Sequence, residues 1–365
     1  MTQVPVLRRH AVFHPLRVQA VEQLTDDAVA ITFAVPDDLR DDYVFAAGQH
    51  LTVRTTLDGE EVRRNYSICA PAPSGLLRVA VKRLEGGAFS AWATSGLRPG
   101  DVVDVMTPTG RFTVPFDPAN ARHYCAFAAG SGITPVLSLV STALEVEPES
   151  RVTLVYGNRT TASVMFLDEL SDLKDRYPTR FRLVHVLSRE PHEVELFSGR
   201  IDADKVRRLL GSLIPPGTVD EWFLCGPFRM VEEVRELLLA EGVRREHVHM
   251  ELFHVEGEPP REVVATAADR DLGSSSVTVV LDGRSSTFDV PRGSTRILDA
   301  ALMVRPDAPY ACKGGVCGTC RAKLVEGEVA MERSYALEQD EIDTGFVLAC
   351  QSRPVSDTVL LDFDQ

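Results

Sequence analysis

Nowhere in the 365 residues is there an apolar run approaching the roughly 20 residues that a membrane-spanning helix needs, so no membrane partner is expected. The opening residues, Met1 to Leu16, also lack the apolar core of a signal peptide. Clusters of one positive sign are missing too. The chain carries 39 basic against 53 acidic residues, a formal charge of −14. A nucleic-acid backbone is held by clustered Lys and Arg, so no nucleic-acid partner is expected, whereas an acidic surface suits a basic protein. Cysteine is sparse, with seven in all, and Cys69, Cys125 and Cys225 stand far apart. That scatter excludes a disulfide framework and predicts reduced thiols in a cytoplasmic protein. The nine histidines form no mononuclear iron triad or further metal motif, which argues against a self-contained oxidase or hydroxylase. What remains is ordinary globular material, 44% hydrophobic and long enough for two or three domains, each with its own core.

The other four cysteines are concentrated. Cys312, Cys317 and Cys320 are spaced C-x4-C-x2-C, with Cys350 further on, the spacing of a 2Fe–2S site rather than of zinc. Gly314, Gly315 and Gly318 let the loop wrap tightly and leave its N–H groups free to point at sulfur. This stretch resembles the plant-type ferredoxin domain.

From about His10 to Phe116 the chain alternates apolar and polar residues between close turns, as in Ala28–Phe33, Leu51–Arg54 and Leu77–Lys82, and a small antiparallel barrel is predicted. Within it, Arg64 and Tyr66 fall on one strand face and Ser67 on the other, so a flat ligand can stack on the tyrosine while the arginine meets its phosphate. The string Gly86-Gly87-Ala88-Phe89-Ser90 then opens a helix whose N–H groups, with the Ser90 hydroxyl, suit a phosphate. After Arg122 the rhythm changes to apolar strands alternating with amphipathic helices, which predicts a parallel sheet covered on both faces. Its first strand runs into Gly130-Ser131-Gly132-Ile133-Thr134-Pro135, read as a glycine turn with Thr134 as N-cap and Pro135 as first helical residue. A later strand ends in Cys225-Gly226-Pro227, at the edge where an open α/β sheet binds its ligand. The polar stretch from Glu256 to about Ser276 reads as an interdomain linker. A hairpin around Asp282-Gly283 and a helix capped by Ser294 follow.

Taken in this order, the strings resemble the ferredoxin–NADP reductase superfamily, and the whole chain resembles single-chain oxygenase reductases. The resemblance implies a multidomain architecture. An antiparallel flavin-binding β-barrel covers residues 10–118, an α/β parallel-sheet NAD(P)-binding domain 119–255, a linker 256–275 and a C-terminal α+β β-grasp ferredoxin domain 276–365. It implies FAD held by Arg64, Tyr66, Ser67, Val81, Lys82, Gly87 and Ser90, with Phe253 nearby, and Ser67 close to the reactive N5. It places the nucleotide on Gly130, Ser131, Gly132, Thr134, Arg159, Cys225, Gly226 and Pro227, with Cys225 beside the nicotinamide and Glu251 as a proton relay. The cluster ligands are then Cys312, Cys317, Cys320 and Cys350. Ser188-Arg189 favours the 2′-phosphate of NADPH, with NADH as the alternative because Glu190 follows.

The Ser188–Pro191 string and the tail from Glu332 to Pro354 further resemble the reductase subunits of phenylacetyl-CoA epoxidases. That implies electron delivery to a multisubunit di-iron monooxygenase, with the acidic loop Glu338, Asp340, Glu341 and Asp343 as candidate docking patch. Reductases of steroid or Rieske-type oxygenases are the near alternative, and a redox sensor without turnover the alternative of another class.

Overall fold

The computed structural model describes residues 12–253 and 273–365. The chain divides into two compact units, Phe13–Phe253 and a second that holds the described residues 273–365.

In the first unit, alternation builds a six-stranded antiparallel sheet in the order β4-β3-β6-β1-β2-β5. Its members are β1 (Phe13–Thr25), β2 (Ala28–Ala34), β3 (His50–Leu57), β4 (Glu60–Ser67), β5 (Arg78–Lys82) and β6 (Val102–Met106), with α1 (Ala88–Ser95) between the last two. Asp58 and Gly59, with φ of 52° and 84°, make the tight β3–β4 turn whose twist matches the strands. The sheet closes on itself where Ile68 bridges Val79 and the Cys69 N–H donates to Arg78 O at 2.9 Å. Leu16, Val29, Ile31, Leu51, Val79 and Val105 point into the shared core.

Beyond it β7 (His123–Ala129), α2 (Ile133–Val146), β8 (Arg151–Asn158), α3 (Leu167–Arg176), β9 (Phe181–Leu187), α4 (Ala203–Ser212), β10 (Glu221–Cys225), α5 (Phe228–Ala240) and β11 (Val248–Glu251) follow in turn. Their five strands form a parallel sheet ordered β11-β10-β7-β8-β9. Thr134 does not cap α2. The helix begins at Ile133, and the Thr134 hydroxyl donates back to Ser131 O at 3.0 Å, so the cap position falls on Gly132. The hydroxyls inside α2 fasten the barrel to the parallel sheet. Ser138 Oγ donates to Ala70 O at 2.6 Å, and Thr142 Oγ1 accepts from the Ala72 N–H at 2.9 Å. Arg78 adds a two-pronged bond to Glu169 at 2.9 and 3.0 Å.

Glu147, fully buried after the last turn of α2, is stabilised by four donors. Its carboxylate accepts from the Asp117 N–H at 3.0 Å, Asn120 Nδ2 at 2.6 Å, Tyr124 OH at 2.9 Å and Ser150 Oγ at 2.6 Å. Glu147→Ala takes the acceptor from the Asp117 N–H, Asn120 Nδ2 and Tyr124 OH, while Ser150 Oγ keeps Asn120 O at 3.4 Å, and because one unsatisfied buried group costs ~1–3 kcal/mol, the unit is expected to lose roughly 3 kcal/mol or more. Urea unfolding followed by tryptophan fluorescence tests this, and a midpoint equal to that of the parent would refute it.

The second unit contains β12 (Ser274–Leu281), β13 (Arg284–Pro291), α6 (Ile297–Val304), β14 (Arg321–Glu326), β15 (Val329–Met331), α7 (Gln339–Asp343), β16 (Phe346–Leu348), β17 (Ser352–Pro354) and β18 (Thr358–Asp362). They form a mixed sheet ordered β13-β12-β18-β14-β16 and a two-stranded β15-β17 pair. Ile297, Leu298 and Ala301 of α6 pack into its core. Two expectations are corrected. Ser294 is not the cap of α6, which starts at Ile297 with the Leu298 N–H satisfied by Ala349 O at 3.1 Å instead of by a side chain. The predicted linker end belongs to β12. Ser275 is fully buried, donating to Ser356 O at 2.6 Å and accepting from Arg292 Nε at 2.8 Å, so a serine run that reads as loop is strand. The rest of the predicted linker, 256–272, lies outside the described residues.

Candidate functional site

The first part of the site is built on β4. Its pairing with β3 sets Arg64 and Tyr66 opposite Val53 and Leu51 on one face, and Ser67 opposite His50 on the other. Tyr66 is half-buried with its ring 5.3 Å from that of Phe89, and burial pushes its hydroxyl above the ordinary range. Arg64 is exposed and pairs with no carboxylate among the described residues, its guanidinium donating to Arg63 O at 2.7 Å. A hollow of about 460 Å³ opens between Asp27, Arg83 and the Gly86-Gly87 turn that leads into α1. An exposed arginine and a half-buried ring on one face of β4 suit a flavin carrying phosphate, and the glycine-walled hollow, lined by neither of them, is a separate opening beside α1. The remaining predicted contacts differ in kind. The Val81 side chain is fully buried in the barrel core, so only its backbone is available to a ligand. Lys82 faces Asp27 at 3.6 Å. The Ser90 hydroxyl is committed to its own turn, accepting from the Leu84 N–H at 3.0 Å and donating to Gly87 O at 3.1 Å, so the expected phosphate donor is a brace for the turn. Phe253, 39% exposed, follows β11 at the end of the unit.

The second part lies at the C-terminal edge of the parallel sheet. Gly130 takes a φ of +55°, and a Cβ on Gly132 would stand 2.2 Å from Cys225 O. Only glycine lets the turn of residues 130–132 meet the Cys225-Gly226-Pro227 loop so closely. Register then assembles the centre. Cys225 pairs with Glu251 across β10 and β11, and Ser67 Oγ donates to Glu251 Oε2 at 2.9 Å, so barrel and sheet meet at one carboxyl. Burial raises the Glu251 pKa to about 7, opposed by the Ser67 hydrogen bond. Burial, then the nearby Glu251 charge, holds the Cys225 thiol protonated.

Sequence reasoning missed His50. Its Nδ1 lies 3.8 Å from Glu251 Oε1, while Nε2 meets Asn65 Nδ2 at 3.1 Å and Thr109 Oγ1 at 3.3 Å. Burial lowers its pKa to about 4, so the ring is neutral. A histidine opening an apolar strand, just after Gly48, was the available signal.

Beyond β8 and β9 the chain segments stay paired, with Ser188 N–H on Asn158 O at 2.9 Å and Arg189 N–H on Arg159 O at 2.8 Å. Arg159 and Arg189 thus lie side by side and exposed, neither paired with a carboxylate among the described residues. Glu190 is occupied elsewhere, accepting from Thr161 N at 2.9 Å and Thr161 Oγ1 at 2.7 Å.

In the second unit, left-handed turns at Lys313, Gly315 and Gly318 wrap the cysteine loop. Among the described residues no three ligating side chains converge as a single metal ion would need. The thiols form two pairs, Cys312 with Cys317 and Cys320 with Cys350, each hydrogen-bonded within itself, and the pairs lie near enough for Cys312 to act on Cys350 and Cys317 on Cys320. Two pairs side by side are what a two-iron cluster requires. The Cys317 hydrogen bond, helped by the N–H groups of Gly314, Val316 and Cys317, pushes the Cys312 thiol down to about 5. Cys320 and Cys350 are buried, while Cys312 and Cys317 are half-buried at the surface. Of the acidic loop, Glu338 and Glu341 are used by the fold as the capping box of α7, and Glu341 also pairs with Arg321 at 2.9 Å. Asp340 and Asp343 are what remains of the expected docking patch.

Comparison with known proteins agrees with this division. Residues 15–114 match the oxidoreductase FAD-binding domain, 127–236 the oxidoreductase NAD-binding domain, and 279–355 the 2Fe-2S iron-sulfur cluster binding domain. The fold is shared with phthalate dioxygenase reductase, at a TM-score of 0.58 and 24% identity over 96% of this chain and 98% of that one. The chain is therefore an oxidoreductase of the flavin- and nucleotide-binding iron–sulfur reductase class. Within the class it belongs to a family that includes one of the subunits of the 1,2-phenylacetyl-CoA epoxidase of Escherichia coli K12. It is 46% identical to that protein, over 96% of this chain and 98% of the relative. It is also 36% identical to the ferredoxin reductase component of 3-ketosteroid-9-alpha-monooxygenase from Rhodococcus rhodochrous, over 95% of this chain and 96% of the relative. No helix among the described residues is long and apolar enough to cross a membrane.

Proposed function

We propose that the chain passes electrons from NADPH, through FAD and a 2Fe–2S cluster, to a separate multisubunit di-iron oxygenase that epoxidises phenylacetyl-CoA. The observation that carries the hydride step is the Ser67–Glu251 hydrogen bond at 2.9 Å, with Cys225 in register beside it. It supports a site in which the end of the β4 strand and the edge of the parallel sheet share one carboxyl, Ser67 lying on the strand face opposite Tyr66 and Arg64. When bound, the flavin splits the two electrons of a hydride into single electrons, and the cluster carries them one at a time. The chain's residues position and insulate. Gly132 and Gly226 let the turn of residues 130–132 and the Cys225-Gly226-Pro227 loop close on each other at the sheet edge, and the fully buried, protonated Cys225 puts no charge behind that edge. Ser67 orients Glu251, whose pKa near 7 lets it hold or release a proton at the flavin edge, with neutral His50 as its buried neighbour. Arg64 and the Gly86-Gly87 turn hold the flavin phosphate, Arg159 and Arg189 the 2′-phosphate, and the four cysteines the irons.

Anaerobic stopped-flow reduction with NADPH and NADH in parallel tests this order. Flavin bleaching should precede cluster bleaching, with NADPH preferred. A hydrogen bond to a charged group is worth ~1.5–3 kcal/mol, so Arg189→Gln should cut kcat/KM for NADPH by ~10–100-fold and leave NADH nearly unchanged. Equal loss for both coenzymes removes Arg189 as selector. Purified chain with NADPH should leave phenylacetyl-CoA untouched until the oxygenase subunits are added. Turnover supported only with a steroid oxygenase would move the partner to that relative's class.

A further inference from the structure

We propose that Gln351 is a positioning residue of the cluster site. Its side-chain amide braces the fourth-cysteine turn against the binding loop and donates to the Cys350 sulfur, holding the cluster's potential up. The inference rests on the 2Fe–2S reading above.

Gln351 is a long polar side chain only 2% exposed, and a buried amide is retained where its hydrogen bonds are made. Nε2 has two N–H bonds and three acceptors in reach, Lys313 O at 2.9 Å, Cys350 O at 3.0 Å and Cys350 Sγ at 3.4 Å. The first of these crosses from one ligand segment to the other. Lys313 stands directly after Cys312 with a φ of +50°, a left-handed conformation that a side chain with a Cβ disfavours and that needs outside support. The bond to its carbonyl supplies that support.

The amide's path is fixed on every side. A Cβ on Gly315 would stand 3.0 Å from Gln351 Cγ, so the side chain passes where the loop has no side chain of its own. Its backbone is held as well, with its N–H on Leu348 O at 2.8 Å and its carbonyl accepting from the Glu332 N–H at 3.0 Å. Alternative residues fail for distinct reasons. Glutamate cannot donate and sets a negative charge beside thiolates, and leucine fills the space without donating. A donor on a ligand sulfur stabilises the more negative, reduced cluster, so removing it lowers the reduction potential.

The test uses the full-length protein with flavin and cluster. In Gln351→Leu the cluster's potential should fall by the equivalent of about tenfold in the reduction equilibrium, ~59 mV for one electron. The electron paramagnetic resonance g-values of the reduced cluster should shift, and chelator should remove iron faster. Gln351→Glu should exceed it in the same direction. Flavin reduction by NADPH serves as control and should be unchanged. A measurement on the parent avoids dependence on variant folding. With glutamine labelled at its side-chain amide with ¹⁵N, the reduced cluster should show a ¹⁵N hyperfine coupling. An unlabelled-like spectrum, or Gln351→Leu with the parent's potential and g-values, overturns the assignment. If the parent itself shows no 2Fe–2S signal, the functional reading fails instead.

Discussion

Replacing Cys320 by alanine is expected to abolish cluster assembly while leaving flavin reduction by NADPH close to the parent rate. Of the four cysteines proposed to hold the cluster, Cys320 is one of the two that are buried and is hydrogen-bonded to Cys350, so its loss removes a proposed ligand from the inner pair. The residues assigned to flavin and nucleotide all lie in Phe13–Phe253, whereas Cys320 belongs to the other unit. Iron and acid-labile sulfide per flavin should drop to background. Electron delivery to a cluster-dependent acceptor should fall by more than the ~10–100-fold that loss of an outer residue around a metal site produces. Iron retained at the parent ratio would show that Cys320 is not a ligand. Parallel loss of flavin reduction would show that the two halves of the chemistry are not separable.

The second large effect concerns Glu251. Its pKa rises from 4.5 to about 7 because its carboxyl is buried, with the Ser67 hydrogen bond opposing the rise. Between those values the folded protein binds a proton that the unfolded chain has released, so this group makes stability fall as pH rises from about 4.5 to about 7. Glu251→Gln, uncharged throughout, should match the parent near pH 4.5 and exceed it in stability above pH 7, by a difference on the order of 3 kcal/mol. Urea midpoints at both ends of that range measure it. The same variant should lose the inflection near pH 7 in the rate of flavin reduction and fall ~100-fold or more in that rate, the scale of a positioned acid–base group. Ser67→Ala removes the opposing hydrogen bond and should move the inflection upward. An unchanged inflection in Glu251→Gln would assign the titration to another group.

Much of the architecture was legible because it rests on local chemistry. Loop glycines at 314, 315 and 318 with spaced thiols are a signal carried within a few residues, and the match of residues 279–355 to the 2Fe-2S iron-sulfur cluster binding domain agrees with it. Alternation at Leu51–Arg54 and Leu77–Lys82 specifies strands, and the Asp58-Gly59 turn a hairpin. Legibility failed where partners come from afar. The Ser67–Glu251 hydrogen bond joins residues 184 positions apart. His50 reads as an ordinary strand residue until β4 and β11 are beside it. Ser90 looks like a phosphate donor until Leu84 and Gly87 occupy its hydroxyl. Glu190 reads as opposing NADPH until Thr161 takes its carboxylate.

The sequence by itself therefore determined the order of domains, the four cysteines and the two glycine turns, because each follows from spacing, backbone freedom and periodicity within a few residues. Tertiary structure alone decided which carboxyl is buried near pKa 7, which arginines meet no carboxylate among the described residues and which glutamine reaches the Cys350 sulfur. Those properties depend on burial and on the distance to groups contributed by other strands, and neither is encoded in any short stretch of chain.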